Sequence, residues 1–78
     1  MNKGDFVKII HLNHLPPRIR SHSLGMRREG VIGQISNASV PGFDSDAIRV
    51  DHCDDHGELN GSWGIYFSGE FESTFILA

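Results

Sequence analysis

Gly4-Asp5-Phe6-Val7-Lys8-Ile9-Ile10 and Glu29-Gly30-Val31-Ile32-Gly33-Gln34-Ile35 decide how this chain is read. Each sets a glycine directly before a run rich in β-branched residues, the pattern of a strand that begins at a tight bend. Three further runs lie beyond them: Ala47-Ile48-Arg49-Val50, Trp63-Gly64-Ile65-Tyr66-Phe67 and Phe75-Ile76-Leu77. Between the two opening phrases, His11 to Arg28 has no sustained apolar period, and Pro16-Pro17 excludes a helix or a central strand there.

Five short strands and one long connection predict an all-β chain, a small five-stranded SH3-like barrel forming a single domain over residues 1–78. Strand one is expected over Asp5 to Ile10, with Val7 and Ile9 inward. The next runs through Gly30 to Ile35, and the third from about Asp46 to Asp51 with Ile48 and Val50 inward. The fourth is expected over Ser62 to Phe67, with Trp63, Ile65 and Phe67 sharing the core face, and the last over about Ser73 to Leu77. Ser68-Gly69-Glu70 would be a tight turn, with room for one turn of 3₁₀ helix. Ile32 and Ile35 complete the expected core, although Gly33 can reverse the local alternation at Ile32 through a bulge or a close backbone approach.

At 78 residues a domain buries roughly 60% of its unfolded surface, so self-association has a stability motive. Cys53 is the single cysteine, which excludes an intrachain disulfide. A lone thiol, the absence of an apolar leader before the first strand, and no run near the ~20 apolar residues of a membrane span point to a cytoplasmic, membrane-free chain. Net charge is −3, but unevenly spread. Residues 1–28 hold six of the seven Lys and Arg against Asp5, a balance of +5; residues 29–78 hold Arg49 against nine acids, a balance of −8. Such halves either polarise the surface or neutralise each other within the barrel.

Gly4-Asp5-Phe6-Val7, His14-Leu15-Pro16 and Leu24-Gly25-Met26 before Glu29-Gly30 resemble, in kind and order, the phrases of the electron-transport accessory superfamily. That group includes the variable chain of ferredoxin-thioredoxin reductase and the β-subunit barrel of nitrile hydratase. Gly30-x-x-Gly33-x-Ile35 is also similar to the KOW-type modules of ribosomal and transcription factors. The likeness covers residues 4–35. It implies an SH3-like barrel and, from the first group, an accessory subunit that binds another protein; from the second, a nucleic-acid binder.

His52-Cys53-Asp54-Asp55-His56 is the segment that invites a metal, through His52, Cys53 and His56, yet a structural site needs four placed ligands and the spacing reads better as a turn capped by its aspartates. No cofactor is expected. No nucleophile or phosphate-loop motif is present, and His52 is badly placed to activate its neighbour Cys53, so catalysis is not expected; a small oligomeric enzyme or a metal-binding protein ranks last. Arg18, Arg20, Arg27 and Arg28 could meet phosphates or a partner, or dock on Asp44, Asp51 or Glu70. With no aromatic among them and an acidic chain overall, nucleic acid is the lesser reading. Phe6 and Tyr66, on the outer faces of their strands, and Phe43 are the expected exposed aromatics. The function expected is a non-catalytic protein-binding or accessory-subunit module, its partner another protein or a second copy, with a homodimer through Phe6 and Tyr66 preferred.

Overall fold

In the computed structural model, which describes residues 2–15, 24–43 and 47–76, the glycine-led phrases become the first two strands of an all-β fold. The strands are β1 (Phe6–Ile9), β2 (Ile32–Asn37), β3 (Ile48–Cys53), β4 (Leu59–Tyr66) and β5 (Phe71–Ser73). They form one antiparallel sheet in the order β4-β3-β2-β1-β5, the layout of a small SH3-like barrel. Glu29-Gly30 is the bend before β2: Gly30 adopts φ +87°, open to glycine at no steric cost, and donates its N–H to Ile9 O at 2.8 Å. The expected 3₁₀ turn is a β-turn, closed by Glu70 N–H on Phe67 O at 3.0 Å. It leads straight into pairing of β5 with β1, so the last strand falls at 71–73 and residues 74–76, expected in it, follow it; Leu77 lies outside the described residues.

Gly33 takes the predicted close approach. A side chain there would collide with Val50 Cγ1 and the Asp51 carbonyl, so its absence lets β2 and β3 curve together. Bulges between Ile35 and Asn37 and between Asp51 and Cys53 add to the curvature.

The interior holds Val7, Ile9, Ile35, Ile48, Val50 and Tyr66. Of the six core residues expected outside β4, Val7, Ile9, Ile35, Ile48 and Val50 are buried, but the phase of β4 is reversed. Ile48 pairs with Tyr66 and Val50 with Gly64, so Tyr66 and Gly64 share the inward face, while Trp63 and Ile65 face outward beside Asp51 and Arg49. Gly64 makes the reversal fit, since a Cβ there would lie 2.9 Å from the Tyr66 ring. Tyr66, expected outside, is 0% exposed. Trp63 and Ile32, expected inside, are half-buried.

Ile65 and Phe67 are nevertheless buried, in a second cluster with Ala47 on the outer face of β4. Leu15 and Leu24 from the first loop, together with Val40, Phe43 and Trp63, cover it. The end of β4 is therefore sandwiched between the barrel interior and the loop, which is why alternation left no wet side there.

Candidate functional site

The two described limbs of the first loop are fastened to the barrel by backbone and by charge. Leu24 O accepts from Ile65 N–H at 2.9 Å, and Met26 N–H donates to Trp63 O at 2.7 Å, with Gly25 opposite Gly64. Only glycine serves at 25: its φ is +72°, and a Cβ would lie 2.6 Å from both the Trp63 ring and the Trp63 carbonyl.

Arg27 and Glu70 form the charged fastening. The Glu70 carboxylate is 0% exposed and accepts from both terminal nitrogens of Arg27, from Asn13 N–H at 2.7 Å and from Phe67 N–H at 2.7 Å. Arg27 also donates to Ile65 O at 2.8 Å, and its guanidinium lies 5.5 and 5.4 Å from the Tyr66 and Phe67 ring centres. One ion pair thus ties residue 13 on one limb, residue 27 on the other and the β4–β5 corner together. Of the acids considered as docking points, Glu70 takes Arg27; Asp51 pairs instead with Arg49 at 3.3 Å. Asp44, Arg18 and Arg20 lie outside the described residues.

Between the limbs is an open groove of about 640 Å³. Its apolar lining comes from Leu12, Leu15, Leu24 and Met26, the last 62% exposed. His14, Arg27 and Arg28 supply the polar lining, and no acid is among the described lining residues. Arg27 is committed to Glu70, whereas the Arg28 side chain and the His14 ring have no hydrogen-bond or ion-pair partner among the described residues. The described lining is therefore largely apolar, with Arg28 a cation that has no ion-pair partner among the described residues.

A polar chain runs from buried Tyr66 and His52 out to exposed Asn60. His52 contacts Ser62 Oγ through Nδ1 at 2.7 Å and Tyr66 Oη through Nε2 at 2.8 Å. Tyr66 Oη accepts Arg28 N–H at 3.0 Å, and Asn60 Oδ1 accepts both Ser62 N–H and Ser62 Oγ–H at 3.0 Å. One assignment satisfies every group: Tyr66 O–H donates to Nε2, Nδ1–H donates to Ser62 Oγ, and Ser62 O–H donates to Asn60. The ring is then neutral, in keeping with burial, and then the Arg28 charge, pulling its pKa below the ordinary 6.5. The Ser62 proton points away from His52, so this pair does not activate the hydroxyl as a nucleophile.

The metal candidates diverge. His52 faces inward with both ring nitrogens engaged. Cys53 is buried, its pKa raised by desolvation and then by Asp54 and Asp55. His56 lies in an exposed turn where Asp54 accepts His56 N–H at 2.8 Å and Glu58 N–H at 3.0 Å, the capped turn anticipated for this segment. Those two bonds hold the Asp54 pKa below its ordinary value. Among the described residues no group of three His, Cys, Asp or Glu is set to hold a metal.

Phe6 and Tyr66 do not form a shared patch. Phe6 is half-buried with its ring beside Gly57, while Tyr66 is interior, so the surface expected for a homodimer is not there. Phe43 is half-buried, edge-on to Phe67 at 5.4 Å. The groove residues Leu12, Leu15 and Met26 were not singled out as a surface; four aliphatic side chains flanking a basic Pro-Pro segment were the available signal. No family model, no curated protein and no solved structure matches this chain. No helix among the described residues is long and apolar enough to cross a membrane.

Proposed function

We propose that this chain is a non-catalytic protein-binding module, of the accessory-subunit kind, and that the groove between the limbs of its first loop is the contact surface. The observation that carries this reading is a pair of loop limbs fastened by the Arg27–Glu70 ion pair, with Met26 exposed and Leu12, Leu15 and Leu24 half-buried beside it. Preorganised apolar surface with a polar rim is what a protein partner meets at low ordering cost. A nucleic-acid role draws less support, because Arg27 is neutralised by Glu70 and one of the four arginines available for phosphates is lost.

The test is affinity capture from the native host with wild-type chain, Met26→Asp and Arg28→Glu, at low and high salt, using Lys3→Glu as a surface control. Protein retained by wild type and the control in high salt, and lost with Met26→Asp, is the expected outcome. Captured nucleic acid that high salt releases, with protein capture indifferent to Met26, would replace this reading with the KOW-type one.

A further inference from the structure

The largest exposed apolar side chain of the described residues lies at the other end of the molecule. Phe75 is 94% exposed, and the segment that carries it is held in place. Thr74 N–H donates to Phe6 O at 3.1 Å, and Ile76 lies where a Cβ on Gly57 would come within 3.2 Å of its Cγ2. Ile76 thus anchors on the 54–58 turn while Phe75, on the alternate side, is turned outward. That turn carries Asp54, Asp55 and Glu58, all exposed. Phe75 is consequently an exposed aromatic knob next in sequence to the residue packed on that acidic turn, and the groove is an apolar slot with Arg28 at its rim.

We propose that the chain associates with itself head to tail, the Phe75 knob and the acidic turn on one copy seating in the first-loop groove of the next. The proposal rests on the protein-binding reading of the groove and names its occupant as a second copy. Both surfaces cannot meet within one molecule. Glu70 marks the groove end of β5, and five residues of extended chain carry Phe75 about 16 Å away along β1. The two patches are different, so the contact is heterologous: it closes into a ring or continues as a chain of copies. The Arg28 guanidinium at the groove and the exposed Asp54, Asp55 and Glu58 on the turn that holds Ile76 favour that orientation.

Sedimentation over a range of concentrations tests it with two exposed-site variants, Phe75→Ser and Met26→Asp, each first shown to be folded by its Trp63 fluorescence. Wild type should grow in mass with concentration. Each variant alone should associate about tenfold more weakly or worse, as loss of an anchor side chain or its pocket does. Mixed together, they should form a one-to-one pair and nothing larger, because Phe75→Ser retains a groove and Met26→Asp retains a knob. Added salt should weaken wild-type association. A wild-type chain that stays monomeric, or a mixture that behaves as the sum of its parts, overturns the proposal. If that happens while Met26→Asp still loses a captured protein, the groove reading stands and only its self-occupancy fails.

Discussion

Glu70 does more for this molecule than its place in a turn suggests. A carboxylate removed from water is costly unless charge and hydrogen bonds replace the lost hydration, and here Arg27 and two backbone N–H groups do so. Truncating Arg27 to Ala leaves that carboxylate buried without its countercharge. We expect a loss of about 3–5 kcal/mol in denaturant unfolding. Exposed Arg28, changed to Ala, should cost under about 0.5 kcal/mol by the same measurement. Equal effects of the two substitutions would show that the ion pair does not fasten the loop.

At the scale of elements, the limb at residues 24–26 belongs to the sheet even though it is too short to count as a strand. Its attachment depends on Gly25, where a methyl group would strike the Trp63 ring and carbonyl and where φ is +72°. Gly25→Ala should release the limb from β4 while the barrel stays folded. In hydrogen exchange, the Met26 and Ile65 amides should lose protection, and Ile35, whose N–H is bonded to Asp5 O, should keep it. Unchanged exchange at Met26 and Ile65 would mean that the glycine is dispensable. The groove should widen with the limb's release, so partner capture should fall in this variant as well.

For the whole molecule, the buried His52 makes stability depend on pH in a defined direction. His52 is lowered from 6.5 in the fold, so the unfolded chain takes up its proton more readily and stability rises with pH across that range. Its contribution is complete above pH 6.5 and is lost as pH falls from there through the lower folded value. A charged ring would also face Arg28, would remove the acceptor for Tyr66 O–H, and would gain only from Asp51. Asp54, lowered from 3.8 by its two backbone bonds, gives a separate loss at more acid pH. Thermal unfolding of wild type and His52→Gln between pH 7.5 and 5 is the check: the downward slope of wild type near pH 6 should flatten in the variant. A parallel slope in both would assign the effect to other groups.

The all-β class, the first four strands and the glycine bends were legible in the sequence, because turns and β-branched runs act locally and need no knowledge of what packs on them, whereas the fifth strand lies earlier than its apolar run suggested. Val7, Ile9, Ile35, Ile48 and Val50 were readable as core for the same reason: their alternation matches a sheet with one buried face. The capped turn at Asp54 and a docking of loop arginine on Glu70 were also within reach. Alternation could not give the phase of β4, because Trp63-Gly64-Ile65-Tyr66-Phe67 is apolar on both sides. Pairing of Ile48 with Tyr66 and coverage by Leu15 and Leu24 decided it. The groove, the inward His52 chain and the outward Phe75 likewise follow from contacts between residues tens of positions apart. Sequence determined which segments become the first four strands; tertiary packing determined which face of each strand is wet, because that depends on what another part of the chain lays across it.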